Sequence, residues 1–292
     1  GDRGQLPAID AGGGFASLAD RLGAAELTEN RRQRSPLQRA VADDLGRGRP
    51  AEALARLAAA GRFQVHDDAR AAQAHLLADW ARESLQHPEA ALIIAHDRRQ
   101  VEELNRGARA LMDASGRLGP ERLVAEGREW AAGDRLVCRR NDYRPEVDVR
   151  NGTRGTVRRV DAAAGTLEVA SDDGRTLRLP ADYLTHAHHA YAVTGHVSQG
   201  ATVDRAYVLA SPDRGGREWG YVAGSRHRLD LRVYATHHDA ADAPRTLAEA
   251  WERSRAKHLA LDRMGPATAG AAERGAPAFE AADRPPGRSA AK

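Results

Sequence analysis

Two rhythms of apolar and polar positions run along the chain. Residues 36–60 carry leucine and alanine at helical spacing, and Gly46, Gly48 and Pro50 break that stretch into two predicted helices. An apolar strand at 63–65, a helix from about 68 to 85, a strand at 91–95 and a helix at 98–114 follow. Strands alternating with helices of this length predict βαβ units and a parallel sheet, hence an α/β fold. From about residue 129 the runs become short and alternating, separated by glycine and aspartate turns, with Asp173-Gly174 as a hairpin turn. That rhythm predicts a small antiparallel β-barrel. After about residue 186 the first rhythm returns, with apolar runs at 190–193, 206–210 and 231–235 and a helix near 247–261. From Gly265 onward alanine, glycine, proline and charge dominate, which predicts a disordered tail.

Composition narrows the class. A chain of 292 residues with 41% hydrophobic and 29% charged residues is large enough for one large or two ordinary domains with a real core. No apolar run reaches the ~18 residues a membrane span needs, and no secretory signal opens the chain, so no membrane partner is expected. The single cysteine, Cys138, excludes an internal disulfide framework and fits a reducing cytoplasm. Lysine occurs only at 257 and 292 among 44 basic residues, and the net charge is +3, so the basic balance alone is weak support for nucleic-acid binding.

The chemistry concentrates in residues 190–228. A polar loop, TGHVSQG (194–200), follows one apolar run, and a helix-like stretch ending YVAGSRHR (221–228) follows the next. With GDRGQLP at 1–7 and LTENRRQ at 27–33, these segments resemble motifs V, VI, III and IV of superfamily-one helicases. The resemblance is greatest to the RecD-like motor of MobF-type conjugative relaxases. It covers roughly residues 1–240. It implies a RecA-like second motor domain interrupted by an SH3-like barrel, with ATP and Mg2+ bound between two motor domains and single-stranded DNA moved 5′ to 3′.

Carried over position by position, the resemblance gives Gln5 as a sensor of the γ-phosphate, whose amide offers donor and acceptor without fixed charge. Arg32 and Arg226 match arginines that reach the γ-phosphate, where a planar guanidinium meets developing negative charge with directed donors. Gln199 and Gly200 match the loop that faces ATP. Thr194 and His196 match contacts to the phosphates or sugars of single-stranded DNA, which read no base identity. The family's lysine in motif V is Val197 here, which removes one charge contact.

A phosphate loop of the form G-x-x-x-x-G-K-[ST] needs a lysine. Lys257 and Lys292 each follow alanine, so the chain is expected to be the rear part of a motor and inactive alone. Its expected partners are single-stranded DNA and the N-terminal motor and relaxase domains of a parent chain. The expected division is 1–24 as the end of the first motor domain, 25–128 and 187–262 as the second, 129–186 as the barrel insertion and 263–292 as tail. A serine nucleophile is set aside because GHVSQG is not G-x-S-x-G. A metal site at His186, His188 and His189 is set aside for want of a carboxylate or cysteine at ligand spacing. Gly12 to Gly14 lack the lysine of a phosphate loop. The rival readings are a non-catalytic nucleic-acid-binding module from a truncated or decayed motor, and a structural interaction domain of a transfer complex.

Overall fold

The computed structural model describes residues 2, 4–6, 18, 19, 21–24, 30–236 and 242–254. Gly12 to Gly14, the far end of the 247–261 helix and the tail at 263–292 lie outside the described residues. The chain divides into one unit of Gly1–Pro7 and Ala25–Ala256 and a second of Ala8–Ala24 and Lys257–Lys292. In the second unit Leu18, Ala19, Arg21 and Leu22 are helical. Everything below concerns the first unit.

Its helices begin where the sequence supplies caps. Ser35 accepts from the Gln38 amide at 3.2 Å to start α1 (Pro36–Gly46), and Pro50 opens α2 (Pro50–Ala59). After β1 (Phe63–His66), Asp68 caps α3 (Ala69–Ser84) through the Ala71 amide at 2.7 Å. After β2 (Ala91–Ala95), Asp97 caps α4 (Arg98–Ala114) through the Gln100 amide at 2.8 Å. The chain then forms the hairpin β3 (Leu123–Ala125) and β4 (Arg128–Trp130), followed by β5 (Arg135–Cys138), β6 (Arg154–Asp161), β7 (Thr166–Ser171), β8 (Thr176–Leu179) and β9 (Ala187–His189). It returns through β10 (Ala192–Thr194), the single turn α5 (Gly195–Ser198), β11 (Val203–Ala210), α6 (Arg217–Gly224), β12 (His227–Thr236) and α7 (Ala243–Glu252).

The first sheet is parallel throughout, in the order β1-β12-β11-β2-β10. Strand β2, ALIIA, is buried at every position, as a central strand covered on both faces should be. Its alternate residues part between two cores. Leu92 and Ile94 pack with α1, α2, α6 and α7, while Ala91, Ile93 and Ala95 pack with α3 and α4. Helices on both faces of a parallel sheet make the α/β architecture that the alternation predicted.

The second sheet is antiparallel, in the order β8-β7-β6-β5-β9, around its own core of Trp130, Leu136, Val157, Val169, Leu179 and Tyr183. A register shift between Val157 and Arg159 leaves Arg158 and Arg159 both exposed. Cys138 is buried in this core, which pushes its thiol up to about 11 and leaves it unreactive. A charged joint ties the two sheets together. Asp134 is fully buried before β5, and its carboxylate accepts from Arg109 of α4 at 3.0 and 3.2 Å, from Tyr191 Oη at 2.9 Å and from the Ala131 amide at 2.8 Å. Tyr191 immediately precedes β10, so this joint also fixes the edge strand that carries Thr194. Asn105 completes that edge, donating to Ala192 O at 3.0 Å and accepting from Ala192 N at 2.9 Å. Among the described residues, no helix is long and apolar enough to cross a membrane.

Candidate functional site

Arg226 lies where α6 ends and β12 begins, and burial there leaves it only 1% exposed. Its Nε donates to Val222 O at 2.8 Å and one terminal nitrogen donates to Ser225 Oγ at 2.7 Å. Burial, and then the neighbouring Arg32, lower its pKa to about 10. Arg32 donates to Ser225 O at 2.8 Å. Among the described residues neither guanidinium has a carboxylate oxygen within ion-pair distance. Two cations held this close, one of them desolvated, form a site that an external anion would relieve of its repulsion.

Gln33, which sequence reasoning passed over, is what holds the arginines' backbone. It is 3% exposed, and its amide donates to Ser225 O at 3.2 Å and to His227 O at 2.7 Å. Arg34 N donates to Arg228 O at 2.9 Å, so residues 33–34 run beside 225–228. His227 is buried with neither ring nitrogen hydrogen-bonded, and burial together with Arg32 and Arg226 pushes its pKa down to about 3. A neutral imidazole therefore neighbours the two arginines. Only the juxtaposition of 30–34 with 225–228, distant in sequence, could have revealed Gln33 and His227.

Gln5 joins the same cluster. Its amide donates to Asp2 Oδ2 at 3.0 Å, and Gln199 donates to Gln5 Oε1 at 3.3 Å. Tyr221 of α6 donates to Asp2 Oδ2 at 3.0 Å, and burial raises its hydroxyl to about 12. Gln5, Arg32, Gln199 and Arg226 are thus gathered by α6 and its ends, although up to 221 residues separate them in the chain. Gly200, beside Gln199, has φ +84° with nothing near a would-be Cβ, so its glycine serves the turn.

Thr194 and His196 stand apart, at the carboxyl end of edge strand β10. The loop expected at 194–200 contains the helical turn α5, closed by Ser198 Oγ donating to Gly195 O at 2.7 Å. Thr194 is half-buried and His196 exposed. Val197, in the place of the family's lysine, packs against the sheet core, so this substitution gives up a charge and gains apolar contact. Arg140 and Arg128 donate to His186 and His188 at 3.0 and 3.2 Å. Among the described residues no group of three or more histidine, cysteine or acidic side chains is placed to hold a metal ion. A cavity at the carboxyl ends of β1, β11 and β12 is lined by Asp67, Asp68, Asp213 and Thr236. Its carboxylates would repel phosphate.

Comparison with known proteins gives the family and the fold. A family profile described as "AAA domain" matches residues 1–68. The probable conjugal transfer protein TraA of Sinorhizobium fredii is 38% identical over 240 residues, which is 80% of this chain and 21% of the relative. The conjugal transfer protein TraA of Rhizobium radiobacter is 37% identical over 269 residues, 90% of this chain and 24% of the relative. This is a superfamily-one helicase-like chain related to the TraA conjugal transfer proteins. It spans less than a quarter of the length of these TraA relatives. In fold it is similar to the Pif1 helicase from Bacteroides in complex with ADP-AlF3 and ssDNA, with a TM-score of 0.51 and 17% identity over 92% of this chain and 66% of that one. The same helicase bound to ssDNA also gives a TM-score of 0.51.

Proposed function

We propose that the chain is the second motor domain, with the motif III edge, of an ATP-dependent DNA helicase or translocase within a conjugative relaxase-helicase. The reading places residues 1–24 at the end of the first motor domain, 25–128 and 187–262 in the second, and 129–186 in an SH3-like insertion. The observation that carries it is the gathering of Gln5, Arg32, Gln199 and Arg226 around one helix, with two guanidiniums that have no carboxylate within ion-pair distance among the described residues. ATP fits this half-site because a phosphate would supply the missing negative charge, while Gln5 and Gln199 offer uncharged amides beside it. When bound, Mg2+ and the nucleotide supply the reactive phosphoanhydride. The residues of this chain orient and neutralise one side of it.

In this reading, Thr194 and His196 contact phosphate or sugar of single-stranded DNA at the open end of β10, and movement runs 5′ to 3′. The S. fredii and R. radiobacter relatives are conjugal transfer proteins several times longer than the chain. Their remaining length leaves room for the first motor and relaxase domains as partners. With Lys257 and Lys292 its only lysines, neither in a phosphate loop, the chain alone does not hydrolyse ATP.

The test is Arg226→Ala in the full-length parent. DNA-stimulated hydrolysis is expected to fall by on the order of 10³ or more, with nucleotide affinity retained within about threefold. Hydrolysis that stays within about threefold of wild type would remove Arg226 from the reaction.

A further inference from the structure

Helix α6 touches three functional segments within eight residues. Tyr221 meets the Asp2–Gln5 segment, and Val222 O holds Arg226. Trp219, one turn earlier, meets the segment that carries Thr194 and His196. Its indole is 4% exposed and lies so close to Gly195 that a Cβ there would sit 2.6 Å from Cδ1. On its other edge, a Cβ at Gly215 would sit 3.2 Å from Cε3. The ring is therefore held between two glycines, with His96 from the end of β2 at 5.7 Å between ring centroids and Trp251 of α7 at 6.0 Å. Its Nε1–H is buried, faces Gly195 and has no acceptor. The indole N–H groups of Trp80, Trp130 and Trp251 likewise have no acceptor, so what distinguishes Trp219 is its contact with Gly195.

We propose that Trp219 is a positioning residue that couples the Thr194–Gln199 turn to Arg226. The physical basis is contact and rigidity. Gly195 lies between Thr194 and His196, so any displacement of that turn by a bound strand meets the indole directly. The indole is wedged on both edges and does not yield sideways. An eight-residue helix spans about 12 Å and moves as a unit. A push at Trp219 is therefore delivered at Val222 O and Ser225, the atoms that set the Arg226 guanidinium. The absence of a Cβ at Gly195 is what lets the indole lie against the turn's backbone. This coupling rests on the proposed reading of Arg226 as a phosphate-facing group and of Thr194 and His196 as strand contacts.

Two measurements test it. In the full-length parent, Trp219→Phe keeps an aromatic filler but withdraws the ring edge from Gly195. It is expected to lower the DNA-stimulated ATPase rate at least tenfold, with the rate without DNA and the affinity for DNA each within twofold of wild type. Equal losses in the stimulated and unstimulated rates would mark a merely structural role and overturn the proposal, as would unaltered stimulation. In the 292-residue chain, tryptophan emission titrated with an oligothymidylate at low salt is expected to change on binding. That change should vanish in Trp219→Phe and persist in Trp80→Phe. A change that survives in Trp219→Phe, or no change in the wild type despite binding seen by anisotropy, overturns the proposal. Arg226→Ala runs beside them as a control. If it leaves hydrolysis intact, the reading of Arg226 as a phosphate-facing group fails, whereas loss of hydrolysis there with normal Trp219→Phe stimulation rejects only the coupling.

Discussion

Arg226 illustrates how one residue's function depends on its support. A guanidinium at 1% exposure is costly unless its donors are taken up, and here backbone and hydroxyl oxygens of its own helix end take them, not carboxylates. Gln33 in turn ties together the carbonyls of Ser225 and His227. Gln33→Ala leaves the His227 carbonyl without this donor and the Ser225 carbonyl dependent on Arg32. We expect a loss of roughly 1–3 kcal/mol, the cost of a buried group left unpaired, measured by urea denaturation of the 292-residue chain. A stability within about 0.5 kcal/mol of wild type would show that water replaces the amide without penalty. The residues proposed to face the ligands are marked by motif spelling. Gln33 is not, because a glutamine after two arginines looks like any polar loop residue until 33–34 are laid beside 225–228.

At the level of elements, α6 is the member on which most of the site depends, and its glycines show how tightly it is seated. A Cβ on Gly224 would overlap Leu45 Cδ1 of α1, and one on Gly220 would come within 2.6 Å of the Trp251 ring in α7. Gly224→Ala is therefore expected to destabilise by about 1–3 kcal/mol through overpacking, despite alanine's better helix propensity. Adding Leu45→Ala removes the opposing methyl group, so the double variant should be more stable than the sum of the two single changes predicts. Additive losses in a denaturation cycle would show that the helix shifts instead. The strand at 91–95 and the helix at 98–114 were legible to the residue, since a five-residue apolar run and an aspartate cap leave little choice. The turn at 194–200 was read as a loop and contains α5, because four residues carry too little periodicity to announce a helix.

For the whole molecule, the half-buried His188 and His189 beside the joint between the two sheets, and the buried His227, bring pH into play. Burial first, and then nearby arginines, push His188 and His189 down to about 4, and His227 to about 3. Each is neutral in the folded chain and binds a proton more readily when unfolded, near the ordinary value of about 6.5. Their contribution to stability is thus complete above about pH 6.5 and is lost as the pH falls toward 4. The melting temperature is expected to drop steadily between pH 7 and pH 4.5. His189→Gln, which can still donate to Glu129 O, should flatten part of that slope. An unchanged slope in His189→Gln would show that His189 is protonated without cost in the fold.

The sequence by itself determined the alternation of strand and helix, the caps that start the helices, the change to antiparallel rhythm near residue 129 and the motifs that mark Gln5, Arg32, Thr194, His196, Gln199, Gly200 and Arg226. These are local properties, written in hydrophobic period, turn residues and short spellings. Tertiary structure decided the strand order β1-β12-β11-β2-β10, which sets β10 at an open edge and brings 30–34 against 225–228. It also decided that Val197 packs against the core, that Asp134 is buried at the joint, and that Trp219 lies against Gly195. None of these is encoded in a window of neighbouring residues. Each follows from which faces the parallel sheet buries, and so from contacts between segments that the chain brings together only on folding.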